Sequence, residues 1–242
     1  MPLMPAFHRR KQNAASVGRL VTGYGELEFL LAWCAGTALA CETPIKHGET
    51  AAQHRITGEH EGVRRIFSIR GETNRIDAAK RLIRPAAIKA GAQNDYVELM
   101  ASFKSCLRIR NTFAHCNWDQ SRKRGLFFVD LEEAAKSGSI FPMKQRHADT
   151  KTLELIERYF VYVFRCMDHM SATLAIKNDL LRGPLPIKPK RLKPLADNSV
   201  LFPFFFDLLL SLLLSKSSSY QFPSVLTSFF LLPRAIAKGR II

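Results

Sequence analysis

Carboxylates are scarce in this chain: 21 Asp and Glu stand against 36 Lys and Arg over 242 residues, a net charge of +15. No stretch gathers the dense Asp/Glu cluster that two-metal phosphoryl transfer uses. The five cysteines (Cys34, Cys41, Cys106, Cys116 and Cys166) are odd in number and far apart, and they include no C-x-x-C. That pattern excludes a disulfide framework and a thiolate metal site, and it points to a reducing compartment. The H-E-x-x-H spacing is absent, and His8, His47, His54, His60, His147 and His169 read as structural or solvated side chains. No metal and no cofactor is therefore expected. Gly23-Tyr24-Gly25 is too short for a dinucleotide loop. Met1 to Asn13 has basic residues without an apolar stretch, so no secretory signal is expected and the cytoplasm is the expected location.

What is abundant is positive charge. Residues 1–183 hold 28 basic and 19 acidic side chains (+9), and residues 184–242 hold 8 and 2 (+6). A basic body favours a polyanionic partner, because neutralising phosphates releases counterions. Between Gln53 and Lys89 nine cations face only Glu59, Glu61, Glu72 and Asp77. Arg64, Arg65, Arg75 and Arg81 in this stretch are candidates for phosphate contact; the competing reading is a solvated helical face.

Hydrophobic periodicity organises the first 182 residues. Val17 to Leu39 reads as a long helix with Val17, Val21, Tyr24, Glu28, Leu31 and Ala35 in one stripe. Cys41 to Thr50 is a loop. One or two helices follow, broken near Gly71 and limited by Pro85. Asn94 or Asp95 is the expected N-cap of a helix starting at Tyr96, with Tyr96, Leu99, Met100, Phe103, Leu107, Arg110 and Ala114 on its apolar face. Asn117–Asp119 and Leu126–Asp130 flank Arg122-Lys123-Arg124, which reads as a small hairpin with a basic tip and a further candidate nucleic-acid contact. Asp149 opens a last helix carrying Leu153, Ile156, Phe160, Phe164, Met167, Met170 and Leu174 as core.

The expected fold is all-α: an antiparallel four- to five-helix bundle over residues 14–182, with the hairpin inserted. It is flanked by a flexible arm (1–13), an extended, disordered Pro/basic linker (183–199) and a poorly ordered hydrophobic extension (200–242). Neither apolar run of the extension reaches the roughly 20 residues that span a bilayer. A spanning helix is not expected, although the tail leaves surface association open.

Two charges stand where periodicity expects apolar residues, Glu28 in the first stripe and Arg110 in the third. An isolated buried charge is prohibitively costly, so the economical expectation is that the two meet as an ion pair. Arg110-Asn111-Thr112-Phe113-Ala114-His115 is an Arg-x4-His with a polar residue after the arginine, closing a predicted helix. In a basic, helical chain of this size the segment resembles the HEPN superfamily, small helical bundles that include many prokaryotic ribonucleases and toxins. The resemblance covers roughly residues 14–182. It implies metal-free RNA cleavage with His115 as base, Arg110 as phosphate clamp and Asn111 orienting nearby. It also implies a homodimer, RNA as the target and, for a toxin, an antitoxin protein as partner. The chemistry suits the residues: imidazole titrates near neutrality, and guanidinium is a permanent forked cation. Five helical steps rotate about 500°, leaving His115 about 140° around from Arg110 and about 7.5 Å along the axis. The helix must break before His115, or a second chain must complete the site. The alternative is a non-catalytic module that binds RNA, a nucleotide or a protein, with Arg110 in the structural pair with Glu28.

Overall fold

The computed structural model describes Phe7 and residues 10–121, 125–136 and 145–192. Among these the chain is a helical bundle: α1 (Lys11–Glu42), α2 (Ala51–Phe67), α3 (Glu72–Lys89), α4 (Gln93–His115), β1 (Cys116–Ser121), β2 (Gly125–Asp130), α5 (Leu131–Lys136), β3 (Gln145–His147) and α6 (Thr150–Lys177). The expected hairpin gains a third strand, since β3 pairs antiparallel with β2 and makes a sheet of order β1-β2-β3. The basic tip Arg122–Arg124, most of the N-terminal arm and the extension from residue 200 lie outside the described residues.

α1 is the axis of the bundle and packs on α2, α3, α4 and α6. It is longer than its apolar stripe predicts, starting at Lys11 and running to Glu42. Val17, Leu20, Tyr24, Leu27, Leu31, Ala35 and Ala38 recur at helical spacing and are buried. α2 begins with a capping box in which Thr50 Oγ1 accepts from the Gln53 amide at 3.2 Å and Gln53 Oε1 accepts from the Thr50 amide at 3.0 Å. Where the two helices cross, Ala32, Gly36 and Ala40 of α1 face Gly58 and Gly62 of α2. A Cβ at Gly36 would stand 2.5 Å from Glu59 Cα, so the backbones touch without side chains between them.

The turn from α2 to α3 goes through Gly71 at φ 84°, a conformation glycine adopts without a Cβ penalty. α3 does not end at Pro85 as expected but runs four residues past it. Pro85 lies on the exposed side, where the carbonyl that loses its amide partner can turn to water. α4 starts at Gln93 without a side-chain cap; Asp95 is instead engaged by Lys188 at 2.6 Å. In α6, Asp149 does cap the helix, accepting from the Thr152 amide at 2.7 Å. Phe164 departs from the expected core face, being 42% exposed, while Val163 takes the buried position.

Rings fix the junction between α4 and the sheet. Trp118 sits across from Phe128 in the β1–β2 register, with ring centroids 4.9 Å apart, and Phe113 and Phe7 each lie 5.3 Å from Trp118. The Trp118 indole donates to the Phe113 carbonyl at 3.3 Å, satisfying one of the open carbonyls at the end of α4. Beyond α6 the Pro/basic segment through Leu192 carries no helix or strand and is docked rather than loose. Lys188 Nζ reaches Asp95 and Glu98, and Arg191 Nε reaches Glu98 at 3.1 Å.

Candidate functional site

The expected ion pair between Glu28 and Arg110 does not form. Glu28 is buried, as its place in the stripe requires, but it accepts from Arg75 Nη1 at 2.8 Å. The reason lies in the drift of the α4 stripe. Its buried face runs through Phe103, Cys106, Ile109 and Phe113, leaving Leu107 half-buried and Ala114 exposed. Arg110 thus falls on the margin of the core, with 28% of its side chain exposed. α3 and α4 are joined by a short turn, and the start of α3 lies beside the end of α4. Glu72, in the first turn of α3, meets Arg110 Nη1 at 3.0 Å. Arg75, one turn on, points into α1.

Arg75, a candidate for phosphate contact, is engaged within the fold. Its Nη1 holds Glu28, its Nε donates to the Ile69 carbonyl at 3.1 Å, and its guanidinium lies 5.4 Å from the centre of the Phe67 ring. It is a bolt between α1 and the α2–α3 turn. Burial pushes the Glu28 carboxyl above its ordinary range, with the Arg75 charge opposing and Glu72 adding to the rise.

Arg110 is held on three sides. Nη1 donates to Asn111 Oδ1 at 2.7 Å as well as facing Glu72, and the guanidinium carbon lies 5.7 Å from the centre of the Tyr24 ring. A cation over a ring face is attracted by its quadrupole. Arg110 Nε and the Tyr24 hydroxyl make no hydrogen bond among the described residues. Burial pushes the Tyr24 phenol far above its ordinary range, helped by the Glu28 and Glu72 carboxylates and opposed by Arg110. Tyr24 therefore stays protonated and can donate. Two carboxylates, Glu28 and Glu72, balance two guanidiniums, Arg75 and Arg110, here.

His115 is the last residue of α4 and is exposed. The helix does not break before it; the backbone turns extended only at Cys116, at ψ 155°. Within one chain the helical separation from Arg110 therefore stands. Asn111 is bonded to Arg110 and shares the face of His115 one turn on (four residues rotate about 40° past a full turn). Cys116, next in sequence, is no nucleophile: burial pushes its thiol up to about 12, and its Sγ lies 3.5 Å from the Phe113 carbonyl.

The remaining expected contacts divide. Arg64 and Arg65 are exposed, but both bind Glu61 on their own helix, at 2.7 and 2.6 Å. Arg81 is exposed. Arg122, Lys123 and Arg124 lie outside the described residues. Residue order alone missed Glu72 and Tyr24, although Tyr24 sits one helical turn before Glu28 on the same stripe.

No protein-family model, curated protein or solved structure matches this chain. The functional reading therefore stands on the residues themselves. Among the described residues no group of three His, Cys, Asp or Glu side chains is placed to hold a metal ion, and no helix is long and apolar enough to cross a membrane.

Proposed function

We propose that the chain is a metal-independent endoribonuclease of HEPN type, an RNA-targeting toxin or defence effector, with Arg110 stabilising the phosphate, His115 acting as base and Asn111 orienting Arg110. The observation that carries this reading is the anchoring of Arg110 at the margin of the core, held by Asn111 at 2.7 Å and by Glu72 at 3.0 Å with 28% of its side chain exposed, as a phosphate clamp requires. In the reaction the His115 imidazole takes the 2′-OH proton, and the freed oxygen attacks the adjacent phosphorus. The bond from phosphorus to the 5′-oxygen breaks, and the leaving oxygen takes a proton from water. Arg110 offers its N–H groups to the charge that builds on the phosphate oxygens. Because α4 is continuous through His115, the reading requires two chains about a two-fold axis, with Arg110 from one and His115 from the other. A toxin of this kind would act in the cytoplasm and be held in check by an antitoxin protein.

The test is cleavage of labelled RNA in EDTA between pH 6 and 8. The wild type should cut, and Arg110→Ala and His115→Ala should each fall by about 10²-fold or more. Helicity should persist. Arg110→Ala should lose only about 1 kcal/mol of stability, because Arg110 and Glu72 are each more than a quarter exposed. Mixing the two inactive variants should restore about a quarter of the activity, since half the dimers carry one intact composite site. RNA left whole by the wild type across that range would end the nuclease reading. A second reading, a non-catalytic module that binds RNA, a nucleotide or a protein, is favoured by the Glu72–Arg110 pair itself, which needs no substrate to explain it.

A further inference from the structure

Between Ala78 and Lys89 in α3, and between Leu99 and His115 in α4, the sequence contains no carboxylate. These two stretches lie along the same pair of packed helices. On α4, Lys104, Arg108, Asn111 and His115 follow one another at steps of four, three and four residues, so all four stand within about 60° of one another on one helix face. Lys104, Arg108 and His115 are exposed and Asn111 is half-buried. On α3, Arg81 and Arg84 are exposed. Lys80 lies between the helices, tied to Asp77 at 2.7 Å.

Like charges are brought together at the crossing. Lys80 is the neighbour that pulls the Lys104 amine below the ordinary lysine range. Asp77 holds Lys80 above it. One carboxylate thus serves Lys80, Lys104 and the nearby Arg81. Two helices would not gain stability by presenting facing lysines to each other alone. The arrangement becomes favourable when an anion lies across both. Its lower end leads, turn by turn, to Asn111 and His115. Along the α4 axis Lys104 and Arg108 are about 6 Å apart and His115 stands about 10 Å beyond, an extended row that suits a chain of phosphates better than one compact anion.

We infer that the α3–α4 face from Arg84 and Arg81 through Lys80 and Lys104 to Arg108 is a track for the phosphate backbone of single-stranded RNA, delivering it to His115. The track deepens the nuclease reading and rests on it for the direction of the strand, while binding itself can be measured separately. An exposed acidic protein segment is the competing occupant. It would leave the track's end at His115 without purpose.

The experiment is titration of the full chain into a fluorescently labelled single-stranded RNA in EDTA at several salt concentrations, with polyglutamate as a second probe. Cleavage is followed in parallel. Lys104→Glu and the pair Arg81→Glu/Arg84→Glu should each weaken RNA binding about tenfold or more. The salt dependence of binding should flatten by about 0.7 in slope for each phosphate that is no longer neutralised. Arg19→Gln, on α1 and paired in the native chain with Glu157, should change affinity less than twofold. Thermal melts of all variants should stay near wild type, which separates weakened binding from failed folding. Unchanged affinity and slope after reversal at Lys104 and at Arg81/Arg84 would overturn the track, as would tight binding of polyglutamate with none of RNA. If RNA binds through these residues but is never cut, the track stands and the nuclease reading falls. If RNA is cut while the reversals leave affinity and KM alone, the reverse holds.

Discussion

The two sides of α1 each bury a carboxylate and solve the problem differently. Toward α2 the contact is a seam of Ala32, Gly36 and Ala40 against Gly58 and Gly62, and within it lies Glu59, 1% exposed. Glu59 Oε1 accepts from Thr37 at 3.1 Å and faces Arg55 of its own helix at 3.4 Å. Toward α3 and α4 the contact is charged: Glu28 and Arg75, then Glu72 and Arg110, with Tyr24 beneath. Glu28 has a short bond to a cation brought from another helix, and the cluster opens to solvent through Arg110. The closed seam uses close backbone approach to hold the bundle together. The open cluster uses charge to place a guanidinium at the surface, and a site that must meet a substrate belongs there.

The largest effect should come from the charged side. Replacing Arg75 by Met leaves Glu28 buried without its cation, and breaking such a pair costs about 3–5 kcal/mol. Chemical denaturation should show that loss, together with a rise of the Glu28 carboxyl still further above its ordinary range. A loss under about 1 kcal/mol would mean that Glu28 finds another partner, with Arg110 as the nearest candidate. On the small-residue side, Gly62→Ala should cost about 1–3 kcal/mol, since the new methyl would collide with the Gly36 backbone and lie 2.8 Å from the Ala32 carbonyl. The gain in helix propensity from Gly to Ala, about 1 kcal/mol, offsets part of this. A melting curve that rises instead would show that the two helices can separate at little cost.

The two sides are also unequally legible from residue order. Hydrophobic spacing is a property of one helix, and it places α1, α4 and α6 and the burial of Glu28 correctly. Which cation meets Glu28 depends on how two helices are rotated against each other. A drift of the α4 stripe toward Ile109 and Phe113 is enough to hand Glu28 to Arg75 and Arg110 to Glu72. Gly36, Gly58 and Gly62 can be read in sequence only as reduced propensity, because their use requires a partner backbone that periodicity does not reveal. The ends of the Arg-x4-His segment are visible by spacing. The unbroken helix between them, which turns the site into a question of two chains, becomes visible only in the fold.

The smallest effect should come from the closed side. Burial holds the Glu59 carboxyl above its ordinary range, with Arg55 and Thr37 opposing. The folded chain therefore keeps this proton at pH values where the unfolded chain has released it. By linkage, stability is fullest below about 4.5, the ordinary value, and falls as pH rises through the raised folded value. Glu59→Gln supplies a neutral side chain of the same shape that can still accept from Thr37. The melting temperature of the variant should match wild type in acid and exceed it modestly at neutral pH, with a flatter slope between. Burial raises the Glu28 carboxyl as well, so Glu28→Gln should also flatten the dependence of stability on pH between acid and neutral. A Glu59→Gln variant that melts below wild type at neutral pH would mean that the Arg55 contact outweighs burial in the closed seam.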